Sequence, residues 1–152
     1  MKLSTRSRYG VRFMTALAYG YGGKSLFLKD IAASEEISEK YLSLIVIPLR
    51  AAGLIKSLRG AHGGYTLARD PLDVSLCDIV EALEGETSLV LCVKEPAACA
   101  RAAICPTRDI WSLLGNKIRE TLKSVTLAEL AKLKKEKIEK SAKRISKHKR
   151  NN

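Results

Sequence analysis

Three of the chain's four cysteines stand within one short segment, CVKEPAACARAAIC, as Cys92, Cys99 and Cys105. Their C-x6-C-x5-C spacing contains no C-x2-C pair of the kind found in zinc ribbons, and it is not a standard ferredoxin run. Thiolates are soft ligands that suit iron–sulfur clusters, zinc or copper. The segment therefore predicts an iron–sulfur cluster, a zinc site or a set of free redox thiols, two of which form a disulfide under oxidation.

The rest of the composition indicates the compartment in which those thiols work. A chain of 152 residues buries roughly two-thirds of its unfolded surface and needs no disulfide bonds to fold. Arg12 interrupts the apolar run of a possible signal peptide, and no stretch approaches the ~20 apolar residues of a membrane span. We expect a cytoplasmic protein without a membrane partner, in which clustered thiols are metal ligands or redox groups. Cys77 lies inside a helical pattern and is expected to be a small core residue.

The net charge of +11 is unevenly distributed along the chain. Residues 1–61 have a net charge of +6, residues 62–131 of −3 and residues 132–152 of +8. A basic N-terminal half suits a polyanion, and double-stranded DNA is the first candidate; the alternative is a solvated basic surface. The basic tail has few apolar positions, so we expect a frayed helix or a disordered segment that strengthens DNA binding without specificity.

Hydrophobic periodicity predicts three helices in the N-terminal half. The first follows the N-cap candidates Ser4 and Thr5 and ends at the glycines that begin with Gly20. The second runs through LKDIAASEE, and the third, EKYLSLIVIPLRAAG, follows the cap residue Ser38. Pro48 is expected to kink or restart the third helix, because its ring clashes with the carbonyl of the preceding turn.

The period then changes to that of a β-hairpin, in which LIKSL and YTLA flank the glycine-rich tip RGAHGG. A helix in SLCDIVEALEG follows, before the cysteine segment. From Pro106 to position 123 the pattern predicts an amphipathic helix of roughly 27 Å, with proline at its favoured first position. VTLAELAKL predicts a final short helix.

The long helix has an apolar stripe that we expect to pair with a second copy of the chain. The preceding domain already has its own core, which makes a homodimer a better interpretation than packing on the same chain. The predicted dimer interface consists of Ile110, Trp111, Leu114, Ile118 and Leu122.

Two helices, a short turn, a third helix and a hairpin form the order of a winged helix-turn-helix. The expected fold is mainly α, with a small β-hairpin wing and a long C-terminal dimerisation helix. The start of the third helix fits the major groove, and an arginine at the wing tip fits the minor groove. Glycines let the tip turn tightly and approach a phosphate. The predicted DNA-binding residues are Ser38, Glu39, Lys40, Tyr41, Ser43, Lys56, Arg59, Gly60, His62, Gly63 and Gly64.

These elements divide the chain into four segments. Residues 1–86 are the predicted DNA-binding domain, and residues 87–105 the cysteine loop. Residues 106–131 contain the dimerisation helix and a short packing helix, and residues 132–152 form a flexible basic tail.

The chain resembles the Rrf-two family of bacterial regulators, which includes IscR, NsrR and CymR. The resemblance rests on MKLSTRSRYGVRFM, ISEKYLSLIVIPLRAAGLIKSLRGAHGGYTLARDP, SLCDIVEALEG, CPTRDIW and VTLAEL, and it covers about residues 1–132. It implies a homodimeric winged-helix transcription factor that pairs through the long helix. One branch of this family carries an iron–sulfur cluster on three cysteines between the wing domain and that helix, and another branch has lost them. Cys92, Cys99 and Cys105 resemble the cluster-bearing branch.

The sequence departs from the family pattern in two places. Several relatives have a Glu-Gln pair where this chain has Ser43 and Leu44, and leucine cannot make the bidentate contact of glutamine to adenine. The positions at which relatives supply a fourth cluster ligand are Arg108 and Arg8 here, and neither ligates iron. The remaining candidates for that ligand are Asp109, Glu95, Thr107, Cys77 and an exogenous thiol.

The sequence therefore predicts a transcriptional regulator, of repressor type, that binds a DNA operator under the control of an iron–sulfur cluster. We expect a 2Fe–2S rather than a 4Fe–4S cluster, sensing iron, redox or nitric oxide status. The alternative is a cluster-free regulator of the same fold that senses through cysteine oxidation or a partner protein. An enzyme is not expected, because the chain has no nucleophile motif, no phosphate loop and no histidine paired with a carboxylate run. A small-molecule substrate is not expected either.

Overall fold

The computed structural model describes residues 3–60, 63–85 and 88–150, with side chains as far as residue 144. Short 3-10 turns occur at Pro71–Asp73, Pro96–Ala98 and Ala102–Ile104. The regular elements in the described residues are α1 (Thr5–Tyr19), α2 (Leu28–Ser34), α3 (Glu39–Ala51), β1 (Ile55–Leu58), β2 (Gly64–Leu67), α4 (Leu76–Glu84), the one-turn α5 (Leu91–Lys94), α6 (Pro106–Ser124) and α7 (Leu127–Arg150).

The helix starts follow from local sequence. The side chain of Ser4 caps α1 by accepting a hydrogen bond from the amide of Ser7, and Ser38 caps α3 in the same way. Both predicted caps are confirmed. Glu84, at the end of α4, accepts hydrogen bonds from the hydroxyls of Ser4 and Ser7. These bonds, that from Ser4 first, lower the pKa of Glu84 and join α1 to α4.

One hydrophobic core unites α1 to α4, the hairpin and the beginning of α7. Leu127, in the first turn of α7, is fully buried within this core. The backbone amide of Leu127 donates to the carbonyl of Val74 over 2.8 Å, and the amide of Leu76 donates to the carbonyl of Val125 over 2.8 Å. The chain thus leaves the core through α6 and returns to it at α7.

The hairpin is antiparallel, with Ile55 paired to Leu67 and Leu58 paired to Gly64. Its second strand also pairs with Leu26, whose amide and carbonyl both form hydrogen bonds with the backbone of Tyr65. Helix α3 continues through Pro48 as a single helix, so the restart that the sequence allowed does not occur, and the kink stays a prediction.

Helix α7 is longer than the sequence predicts. The short helix predicted over VTLAELAKL is the start of a single helix that continues to Arg150, through the segment for which the sequence predicts a frayed helix or a disordered tail. Residues 127–150 contain neither glycine nor proline and are rich in lysine, glutamate, leucine and alanine, which favour a helix. Lys134 also fixes α7 to the domain through an ion pair with Glu35. Within the described part of the chain, no helix is long and apolar enough to span a membrane.

Candidate nucleic-acid interface and cysteine segment

The start of α3 presents polar side chains to solvent. Ser38, Glu39, Lys40 and Ser43 are exposed, and the hydroxyl of Ser43 donates to the carbonyl of Lys40 over 2.7 Å. The structure therefore brings these four predicted DNA-binding residues onto one accessible end of the helix.

Tyr41, the fifth predicted contact on this helix, also has a packing role. Its ring is half-buried and meets the ring of Tyr9 edge-on, with centroids 5.9 Å apart. The guanidinium of Arg12 lies 5.7 Å from the centroid of the same Tyr9 ring. Tyr41 thereby helps to set the orientation of α3 on α1.

A buried carboxylate holds the turn that leads into α3. Glu35 is only 8 % exposed, and its side chain pairs with the guanidinium of Arg12 over 3.1 Å and with the ammonium of Lys134. Arg12 also donates to the backbone carbonyl of Glu35. Two cations from α1 and α7 thus neutralise one acid at the end of α2, three residues before Ser38. Sequence reasoning missed this cluster, because the three residues are far apart in the chain.

The wing places its cations in solvent and uses two of its glycines for packing. Lys56 and Arg59 are exposed, and Gly60 has a φ of +97° at the tip. Gly63 is buried, and Gly64 has a φ of +130° at a position where a Cβ would lie 2.5 Å from the carbonyl oxygen of Leu26. These two glycines let the strand approach the neighbouring backbone. The predicted contact His62 lies outside the described residues.

The three clustered cysteines lie on short turns rather than on long elements. Cys92 is in α5, Cys99 follows the turn Pro96–Ala98, and Cys105 immediately precedes α6. All three are half-buried free thiols. Across the described residues, no three His, Cys, Asp or Glu side chains form a group that could hold a metal ion. The donor types suit a soft metal, and the segment would have to close around it.

The thiol of Cys105 is hydrogen-bonded at the start of α6. Its sulfur lies 3.1 Å from the hydroxyl of Thr107, and this hydrogen bond, followed by the backbone amide of Arg108, lowers the pKa of Cys105. Both groups belong to the first turn of α6, where exposed amides favour an anion. Arg108 in turn donates to the carbonyl of Cys92 over 2.9 Å, so it joins the two ends of the cysteine segment.

Cys77 is a core residue, as the sequence predicts, and is 1 % exposed. Burial and the neighbouring Glu81 raise its pKa, which opposes thiolate formation. The carboxylate of Glu81 also forms an ion pair with the guanidinium of Arg119 on α6, over 2.9 Å. The other candidates for a fourth ligand, Glu95, Thr107 and Asp109, have exposed side chains.

The predicted dimer stripe is accessible along α6. No residue of α6 is buried in the single chain. Ile110, Trp111 and Leu114 are 60 %, 41 % and 44 % exposed, while Ile118 and Leu122 are half-buried. Leu113, which the sequence reasoning left out, extends the apolar surface and is 57 % exposed.

Helix α2, the turn, α3 and the β1–β2 hairpin together define a winged-helix DNA-binding protein. Residues 3–133 match the Rrf2 family, described as "Iron-dependent Transcriptional regulator". The chain therefore belongs to the Rrf2 family of transcriptional regulators, as the sequence resemblance predicts.

Individual relatives and structures agree with this family. Protein rrf2 of Nitratidesulfovibrio vulgaris is 43 % identical over 130 residues, which cover 86 % of this chain and 87 % of that protein. The structure of CymR, the global cysteine regulator of B. subtilis, has a TM-score of 0.73 at 40 % identity and covers 88 % of this chain and 98 % of its own. The structure of T. potens IscR has a TM-score of 0.70 at 38 % identity, and the match covers 89 % of this chain and 88 % of the IscR chain.

Proposed function

We propose that this regulator binds an operator with the start of α3 in the major groove and the tip of the wing in the flanking minor groove. The observation that carries this proposal is the exposure of the polar side chains at the first turns of α3 in a chain of a DNA-binding family. Arg59 on the wing supplies the cation that a narrow minor groove attracts. The Glu35 cluster fixes the turn between α2 and α3, and with it the angle of the reading helix.

The same proposal includes a homodimer that is formed through α6. An exposed apolar stripe on a helix that leaves the domain core needs a partner, and a second copy of α6 offers the same stripe. Two winged domains at a fixed separation would read two operator half-sites.

We further propose that Cys92, Cys99 and Cys105 hold an iron–sulfur cluster. Support comes from three soft donors within one segment, from the description of the family as iron-dependent, and from the resemblance to the cluster-bearing branch. When bound, such a cluster supplies sensitivity to oxidants, nitric oxide and iron supply. We propose Asp109 or Glu95 as the fourth ligand, because both carboxylates are exposed, Glu95 within the segment and Asp109 four residues after Cys105.

Contiguous contacts join the cysteine segment to the reading helix. Arg108 holds the Cys92 carbonyl at the start of α6, and Arg119 holds Glu81 of α4 further along α6. Glu84 of α4 binds the start of α1, and Arg12 of α1 binds Glu35 at the turn before α3. A conformational change in the cysteine segment can therefore alter the distance between the two copies of α3 in the dimer.

The test compares operator affinity of the anaerobically purified protein with that of a Cys92→Ala, Cys99→Ala variant. The operator is first selected by the native protein from a random duplex pool. An allosteric effect of about five- to 150-fold is expected between the two proteins, and Cys77→Ala is the matched control that removes a thiol elsewhere. Equal affinities would contradict control by the cysteine segment, whereas failure to select any sequence would contradict specific DNA binding.

One observation favours a second candidate, a cluster-free regulator that senses through thiol oxidation. The hydrogen bonds that lower the pKa of Cys105 favour its thiolate, the form that an oxidant attacks, and a similar structure is that of a global cysteine regulator. In this alternative Cys105 would form a disulfide with Cys92 or Cys99. The content of iron and acid-labile sulfide after anaerobic purification and reconstitution distinguishes the two candidates. For protein that binds neither, mass spectrometry after treatment with peroxide should show the disulfide.

A further inference from the structure

Two apolar side chains are exposed on the face of α3 that carries the polar DNA-binding candidates. Leu44 is 56 % exposed and Ile47 is 57 % exposed, whereas Leu42, Ile45 and Leu49 on the opposite face are fully buried. Leu44 and Ile47 lie outside the hydrophobic core, to which α3 contributes its buried face. Leu44 and Ile47 are therefore available for contact with a binding partner.

Leu44 lies where a reading helix reaches base edges. Helical spacing places Leu44 four residues after Lys40 and adjacent to Ser43, within the first two turns of α3. Ile47 lies nearly one turn further toward the C-terminus of the helix, away from the end that enters the groove. The two residues are thus both aliphatic, but we expect Leu44 to lie deeper in the major groove than Ile47.

We propose that Leu44 recognises thymine by covering its C5-methyl group in the major groove. This inference rests on the proposed operator binding by α3. Leucine has no hydrogen-bonding group, and the thymine methyl is the apolar group that a base pair presents in the major groove. The exposed cations Lys40 and Arg50 of the same helix flank the apolar pair and suit the phosphates on either side of the groove.

The competing occupant of this face is a second copy of the chain. Leu44 and Ile47 line a shallow groove together with Tyr41, Pro48 and Arg6. A two-fold symmetric contact across this groove would bring like cations of both copies together, which opposes association. The positive surroundings therefore favour nucleic acid as the occupant.

The experiment uses the duplex that the native protein selects and replaces each thymine in turn by deoxyuridine, which removes only the methyl group. For the native protein, one thymine position in each half-site should respond, and a single replacement there should weaken binding about fourfold, the effect of uncovering one buried methyl. Leu44→Ala should bind the thymine and deoxyuridine duplexes with equal affinity. Ile47→Ala, the matched control, should keep the native difference.

Each other outcome overturns the assignment. If the Leu44→Ala variant still distinguishes thymine from deoxyuridine, Leu44 does not contact the methyl group. If the Ile47→Ala variant loses the difference, Ile47 is the residue that contacts it. A Leu44→Ala variant that loses its dimer in sedimentation while keeping the methyl effect identifies a second copy as the occupant. If the native protein selects no duplex at all, the proposed operator binding fails first, and this inference fails with it.

Discussion

Trp111 provides the strongest test of the dimer. It lies in the exposed stripe of α6 and is 41 % exposed in the single chain. A tryptophan can bury up to about 250 Å², so a partner would cover about 100 Å² more of it, worth about 2.5 kcal/mol. A two-fold dimer contains this contact twice. Trp111→Ala should therefore cost up to about 5 kcal/mol of association free energy and raise the dimer dissociation constant up to about 4,000-fold.

Sedimentation equilibrium measures this constant directly. The native protein should sediment at twice the chain mass of 16.7 kDa, and Trp111→Ala at the chain mass under the same conditions. Leu133→Ala is the matched control, since Leu133 is 49 % exposed on α7 and lies outside the stripe. Far-UV circular dichroism should show that both variants remain folded. A shift below about tenfold for Trp111→Ala, or an equal shift for the control, would refute the assignment of the interface to α6.

Three further predictions concern the wing, the contact of α4 with α1, and the last helix. Gly64→Ala, whose Cβ would lie 2.5 Å from a backbone oxygen at a φ of +130°, should lower the free energy of unfolding in urea by about 3 kcal/mol. Glu84→Gln should lower it by about 1 kcal/mol at neutral pH. Because folding depresses the pKa of Glu84, this stabilisation is present above the unfolded pKa of about 4.3 and should disappear as the pH falls through the lower folded value. The triple change of Lys135, Lys137 and Lys140 to Gln should reduce the salt dependence of DNA binding by about 0.9 for each phosphate that these lysines neutralise, and an unchanged slope would show that α7 does not contact DNA.

The order of elements was predictable because local chemistry sets it. Ser4 and Ser38 are good helix caps, and the glycine-rich tip between two short branched segments permits little besides a hairpin. The exposed face of α3 was also predictable, because the helical spacing of its apolar residues identifies the buried face and therefore the face that remains in solvent. Leu44 appeared there as a departure from the family pattern, and the structure adds its exposure.

Long-range contacts were not predictable from the chain. The pairing of Glu35 with Arg12 and Lys134 depends on three helices meeting, and no local period indicates it. The return of Leu127 to the core is likewise set by tertiary packing. The cysteine segment is a different case, since its spacing indicates soft ligands but does not determine the arrangement in which they lie.

The iron–sulfur cluster is tested by an anaerobic purification with a visible absorption spectrum and a count of iron and acid-labile sulfide per chain. The proposed site predicts a brown protein with about two irons and two sulfides per chain, both absent from the Cys92→Ala, Cys99→Ala variant and retained in Cys77→Ala. A colourless protein that stays free of iron and sulfide after reconstitution, with reactive thiols, would contradict the cluster and favour thiol oxidation as the signal.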